Sequence, residues 1–519
     1  MRLIPLVLAV VACEPTVLDL DVPDVEETDD VVEPEEPVDL AEAVTLDALL
    51  DHLAALQNIA DANNGNRVYL SAGYLDSVDY VVEQLEDAGL SPIVEEYTIS
   101  RWDLGEYDAA VMASPGEVLR PLEIEVFPLS AGGQVEARVI PIDVVVPAGG
   151  APNTSTSGCE ADDFAEFGNG NIALIQRGTC TFATKVANAQ AAGALAVILF
   201  NEGQPGRTEV LLGTLDQTNP PVVPVVGLSY ADGVDLVESG PIGVRISVDA
   251  AVIEQVDRNV VVEIAGTSPE RVVTIGSHLD SVAAGSGIND NGSGSAYVLE
   301  LARQAKLTGW EPVTTVRFGF WGAEEQGLIG SRNYFLTADN EANPATTDGL
   351  EAYLNFDMMA SSNGARFVYD GDGSDINDGL QTPGSAAIEA LFLAHFEERE
   401  LVTSATGLEI PTDSYWTAAL GIPTGGLFSG AFEEKTRGEA ALQGGEAFEP
   451  YDVCYHRECD RIDQINETLY GELMEAATVV AQILGEAEVA PSGAPPDALL
   501  PNLPETPHPV GCHERAVPE

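Results

Sequence analysis

Two histidines and five carboxylates stand out by position. Ser277-His278-Leu279-Asp280 follows the Val-rich run 272–276. The adjacent pair Glu324 and Glu325 follows the run 315–320, and Asp357 closes the run 353–356. Asp290 lies in Gly287-Ile288-Asn289-Asp290-Asn291-Gly292-Ser293-Gly294, and His456 in Cys454-Tyr455-His456-Arg457-Glu458-Cys459. A single acid at a strand end is usually a cap or a surface charge, and a single histidine is usually only hydrogen-bonded. The set is different, because the chain has only six histidines and two of them fall in Gly- or Cys-framed strings among acids. Imidazole and carboxylate without thiolate suit zinc or a similar divalent ion used in catalysis. Two histidines and three carboxylates exceed one tetrahedral ion with an open position. They fit two ions roughly 3.5–4 Å apart that share one bridging carboxylate. The spare member of the Glu324–Glu325 pair would then be a general base. Asp280, two residues after His278, would be an outer partner that fixes an imidazole.

These residues need a scaffold that brings distant segments together. Short apolar runs at 261–264, 272–276, 315–320 and 353–356 read as buried strands. They alternate with helical spacing at 294–306, 326–335, 386–397 and 468–484, which implies an α/β layered sheet. In such sheets ligands bind beyond the carboxyl ends of the strands, where the candidate residues fall. Upstream, apolar residues at helical spacing predict helices at 44–60 and 77–88, followed by a strand at 93–99. Between about 126 and 252 the texture changes to short Val-rich runs broken by Gly, Asn and Pro, with one helix at 182–192. This reads as a separate strand-rich module.

The 519 residues carry 22 basic and 85 acidic side chains, a formal net charge of −63. A field of that sign repels phosphate backbones and excludes nucleic acid as a partner. Residues 1–13 combine Arg2, a short apolar run and Ala12-Cys13, the pattern of an export signal. The order Val10-Val11-Ala12-Cys13 is similar to a bacterial lipoprotein signal, with Cys13 as the lipidated residue and the membrane reached only through that anchor. Residues 14–43 hold 13 acidic residues and no basic one, and read as an unfolded acidic linker. No other run is apolar enough to span a bilayer. In an exported protein Cys159 with Cys180, and Cys454 with Cys459, make local disulfides, leaving Cys512 in a Pro-rich tail at 486–519 without an evident partner.

The strings IGSHLDSV, GINDNGSGSA, FWGAEEQGLIGSRNY, YLNFDMMAS and YDVCYHRECD resemble, in that order, the co-catalytic zinc aminopeptidase family. That family includes secreted bacterial leucine aminopeptidases and aminopeptidase Y. The likeness covers about 258–485, with the helices of 44–100 in register. It implies a catalytic domain of 44–125 and 253–485 built as a mixed α/β sheet flanked by helices. It further implies two zinc ions, one held by His278 and Asp357, the other by Glu325 and His456, with Asp290 as the bridge. Glu324 would be the general base, Asp280 an outer-shell partner and Tyr455 an oxyanion donor. A Cys454–Cys459 disulfide and a cis peptide at Asp290–Asn291 belong to the same resemblance. The string Ile172 to Phe182 (IALIQRGTCTF), followed by KVANAQAAGALAVILFN, resembles a protease-associated domain, here at 126–252. One departure concerns Ile410-Pro411-Thr412-Asp413, where relatives often read Gly-Arg-Ser-Asp. A substrate contact made through that arginine does not transfer.

The expected activity is hydrolysis of N-terminal peptide bonds in peptides or proteins with free N-termini, by an enzyme exported as a cell-envelope lipoprotein or secreted. Two rivals remain at this point. A carboxypeptidase or dipeptidase could use the same metal architecture. A binding protein on a dead peptidase scaffold would lack ligands, whereas all five ligand positions and the base are present. A serine hydrolase is disfavoured because no G-x-S-x-G string occurs. The sequence leaves the oligomeric state open.

Overall fold

The computed structural model describes residues 38–216, 219–336 and 347–491. The expectations for the signal at 1–13 with Cys13, for most of the linker, and for the tail with Cys512 lie outside the described residues.

The larger sheet is built around the strand Ser268–His278, with Thr314–Trp321 and Leu350–Phe356 parallel to it on either side. Thr424–Phe428 continues the parallel set beyond Leu350–Phe356, Phe367–Tyr369 pairs antiparallel with it, and Ser404–Thr406 closes that edge. Gly243–Ile264 pairs antiparallel with the opposite edge at Thr314–Trp321, making the sheet mixed. Every residue of Thr314–Trp321 is buried, as expected of a strand covered on both faces. The helices Gly294–Leu307 and Glu467–Glu486 pack on the central strands. The shorter helices Ile329–Leu336 and Ser414–Ala419 contribute to another apolar cluster with Trp321 and Tyr353. The helix expected from residue 77 starts earlier, at Ala72, where the Ser71 side chain accepts from the Tyr74 N–H and caps it.

The inserted module has four parallel strands, Gly133–Ile142, Ile172–Gln176, Ala196–Phe200 and Val225–Leu228. Successive residues serve opposite faces. Ile172, Leu174, Ile198 and Phe200 enter one core, and Ala173, Ile175, Val197 and Leu199 enter another. Cys159 and Cys180 are disulfide-bonded here.

Two 22-residue strands, Ile93–Ser114 and Gly243–Ile264, join the module to the larger sheet. They pair from Ile93 opposite Val261 to Met112 opposite Gly243. The sequence reading finds only their outer ends, at 93–99 and 261–264. From 249 to 256 no residue is buried, so the alternation that marks a half-buried strand is missing. The junction expected between residues 252 and 253 falls inside this strand, with Val252 opposite Trp102. Among the described residues no helix is long and apolar enough to cross a membrane.

Candidate metal centre

Strand register brings the chemistry together. Trp321 stands opposite His278, and Asn355 opposite Gly276, so three parallel strands end at one level. The next residues after those ends supply Asp280, Glu324, Glu325 and Asp357. Gly276 is required by a close approach. A Cβ there would lie 2.6 Å from Trp321 Nε1 and 2.3 Å from the Tyr353 hydroxyl, across their 2.9 Å hydrogen bond.

Asp290 sits in a kinked turn, Ile288–Ser293, just before the helix Gly294–Leu307, and its peptide bond to Asn291 is cis. Asn291 ties this turn to both neighbouring strands. Its Nδ2 donates to Ser277 Oγ and to Phe356 O, each at 3.0 Å, while its Oδ1 accepts from the Met358 N–H at 3.2 Å. His456 lies within the short loop closed by the Cys454–Cys459 disulfide. Ala323, Met358 and His456 all have positive φ, and each is a candidate residue or its immediate neighbour. Such backbone costs energy and persists where the surroundings fix it.

The five expected ligands converge. His278 Nε2 lies 3.3 Å from Asp290 Oδ1 and 3.3 Å from Asp357 Oδ1. His456 Nε2 lies 3.1 Å from Asp290 Oδ2 and 3.1 Å from Glu325 Oε2. Donor atoms of His278, Asp290 and Asp357 all fall within 4.8 Å of one another, and so do those of Asp290, Glu325 and His456. Asp290 is common to both triads and turns one oxygen to each. Glu324 is beside them, with Oε2 3.9 Å from His278 Nε2.

Asp280 reaches both His278 and Glu324. The His278 Nδ1 hydrogen bond runs to its backbone carbonyl at 3.2 Å, while its carboxylate Oδ1 is 3.6 Å away. That carboxylate accepts from the Glu324 N–H at 3.0 Å and so holds the Glu324 turn. Tyr455 stacks on His456 with ring centroids 3.8 Å apart, and on exposed Phe432 at 6.0 Å.

The electrostatics call for cations. Asp357 Oδ1 and Glu325 Oε1 are buried and accept no hydrogen bond among the described residues. Burial and the Asp290 charge push the Glu325 carboxyl up to about 7, against the opposing His456. Burial disfavours the charged imidazole of His456, but hydrogen bonds to Asp290 and Glu325 override it and push it up to about 11. Burial likewise lifts Glu324 well above the carboxylate range, with Glu325, Asp357 and Asp413 adding and His278 opposing. Divalent cations held among these carboxylates and imidazoles would compete with protons for the same atoms. The donor set, the two shared triads and the orphaned oxygens all fit a pair of divalent ions.

Several supporting residues escape the sequence reading. Thr412 Oγ1 donates to Asp357 Oδ2 at 2.7 Å and accepts from Asn355 Nδ2 at 2.9 Å. Asp460 accepts the backbone N–H groups of Asn289 and Asp290 at 2.7 and 3.1 Å. Asn289 Nδ2 donates to Asp452 Oδ2 at 2.6 Å. The one visible signal is that Asp452 and Asp460 flank the two cysteines around His456. Pro411 is exposed, whereas Thr412 and Asp413 are buried. A third acidic group, Asp370, Asp372 and Glu389, lies apart from the centre in the sequence, and the Asp370 carboxylate is occupied by the backbone N–H groups of residues 373 to 376.

Residues 259–481 match peptidase family M28, and residues 142–236 match the PA domain. An aminopeptidase of Pseudomonas aeruginosa (strain PAO1 among its designations) is 42% identical over 438 residues, covering 83% of this chain and 79% of the relative. The probable lipoprotein aminopeptidase LpqL of Mycobacterium tuberculosis is 37% identical over 478 residues, 88% of each. The solved structure of BSAP, a zinc aminopeptidase from Bacillus subtilis, aligns with a TM-score of 0.52 at 22% identity, over 86% of this chain and 98% of that one, and shares the fold.

Proposed function

The chain belongs to peptidase family M28 and carries an inserted PA domain, and on that footing we propose that it is an exported aminopeptidase with a two-zinc centre and Glu324 as general base. It is a zinc-dependent exopeptidase acting on peptide substrates. The finer reading rests on one observation: the two oxygens of Asp290 face His278 and His456 separately, at 3.3 and 3.1 Å. A carboxylate so placed could serve two ions, one that would be held with His278 and Asp357 and one with Glu325 and His456. We take 44–125 with 253–485 as the catalytic domain and 126–252 as the PA domain.

When bound, the zinc pair supplies Lewis acidity to the scissile carbonyl and to the attacking water. Glu324 takes a proton from that water as its oxygen bonds to the carbonyl carbon. It then delivers the proton to the leaving nitrogen as the C–N bond breaks. Tyr455 donates to the oxyanion that develops on the carbonyl oxygen. Asp280 holds the Glu324 turn through the backbone N–H. The free α-amine of the substrate would sit near the metals and acidic side chains, which accounts for exopeptidase action. The lipoprotein relative supports export with a lipid anchor at Cys13.

Chromogenic aminoacyl substrates and their N-acetylated counterparts test the specificity. Cleavage of the free-amine series alone, abolished by a chelator and restored by zinc, is expected. Cleavage of blocked peptides alone would place the chain with carboxypeptidases instead.

A further inference from the structure

Arg67 is completely buried, yet no carboxylate among the described residues is in ion-pair contact with it. Its side chain spends its donors on carbonyls of one segment. Nη1 donates to Leu279 O, Nε to Ser286 O at 3.0 Å and Nη2 to Gly287 O at 2.6 Å. Its backbone joins the same segment, donating to Ser281 Oγ at 2.9 Å and accepting from the Ser281 N–H at 3.3 Å. That segment, 279–287, is the connection between His278 and Asp290, more than 200 residues away in the chain.

Arg67 thus grips the loop joining a terminal ligand to the bridging one. Hydrogen bonds from a guanidinium to carbonyls are charge-assisted and stronger than neutral ones. The rigid fork also fixes three acceptors at once, which a lysine ammonium on a flexible stem does not reproduce. Gly287 is shaped to this arrangement. Its φ is +62°, and a Cβ there would come 2.4 Å from Asp290 O, 2.4 Å from Ser281 Cβ and 3.4 Å from Arg67 Nη2. The negative field of Asp280, Asp290 and Asp460 surrounds the guanidinium and makes its burial tolerable.

We propose that Arg67 is a positioning residue of the metal centre: by clamping residues 279–287 it sets the placement of His278 relative to Asp290, and with it the affinity for the ion those residues share. This rests on the two-zinc reading above. It adds a residue to the centre that touches neither ion nor substrate.

The test is zinc binding to the metal-free full-length chain, by competition with a chromophoric chelator, for wild type and Arg67→Lys. Near-UV circular dichroism and thermal unfolding of the metal-free forms run alongside. The variant is expected to keep its folded signature at the working temperature while one zinc-binding step weakens tenfold to a hundredfold. The cobalt-loaded variant is expected to show shifted visible bands, reporting altered ligand geometry. Two zinc ions bound by wild type, with unchanged affinities and cobalt spectrum in the folded variant, would overturn the proposal alone. Fewer than two ions in wild type would overturn the two-zinc reading and the proposal with it. Should Arg67→Lys not fold, Ser281→Ala loosens the same clamp more mildly. A threefold or greater loss of zinc affinity supports the proposal there, and an unchanged affinity overturns it.

Discussion

Thr412 donates to the Oδ2 atom of Asp357 over 2.7 Å, leaving Oδ1 turned toward His278. The hydroxyl therefore decides which oxygen of the carboxylate faces the metal site. It is itself held by Asn355, whose amide oxygen accepts from the Tyr353 hydroxyl at 3.1 Å.

Replacing Thr412 by Val keeps the shape and removes this bond. Hydrogen bonds to charged groups are worth about 1.5–3 kcal/mol, or roughly tenfold to a hundredfold in an equilibrium constant. Thr412→Val should weaken zinc binding by that factor in a chelator competition, and Thr412→Ser should stay near wild type. Equal affinities in all three would remove Thr412 from the account.

Glu324→Gln retains the side-chain volume and loses the base. Turnover of an aminoacyl chromogenic substrate should fall by about 10²–10⁴, with the zinc content of the purified variant unchanged. Near-normal turnover would assign the proton transfer to another group.

Lys185 in the PA domain is buried and donates to Ser157 O at the end of a disulfide-linked segment. Burial pushes its ammonium down to about 8. Between that value and the ordinary lysine range the unfolded chain holds more protons than the folded one, so this group adds stability as pH rises through the window. The gain is at most about 3 kcal/mol. Lys185→Met carries no such charge. The stability difference between variant and wild type, from denaturant midpoints at pH 7.5 and pH 10, should shift toward wild type at the higher pH. A difference independent of pH would contradict this.

The proposed ligands were legible because each sits at a local feature: a strand end for His278 and Asp357, a glycine-rich turn for Asp290, a pair of cysteines for His456. The Leu350–Phe356 and Thr314–Trp321 strands carry the apolar runs that fix their ends. The ribbon of Ile93–Ser114 and Gly243–Ile264 was not legible, because residues 249–256 include no buried residue and carry no clear alternation. Arg67, Thr412 and Asp460 were hidden for another reason. Their roles lie in hydrogen bonds to backbone or carboxylate groups contributed by other segments, Arg67 to Ser286 across 219 residues for example. No spacing rule records such a partner. The Asp280 carboxylate lies 3.6 Å from the His278 imidazole, and its further bond from the Glu324 N–H was not legible, because it depends on how two strand ends abut.

The metal content of freshly purified, folded protein bears most directly on the arrangement of His278, Asp290, Glu325, Asp357 and His456. Elemental analysis should give close to two zinc ions per chain, falling below one in Asp290→Ala because both triads lose a member. A wild-type content of one ion or none after zinc reconstitution would contradict the shared bridge.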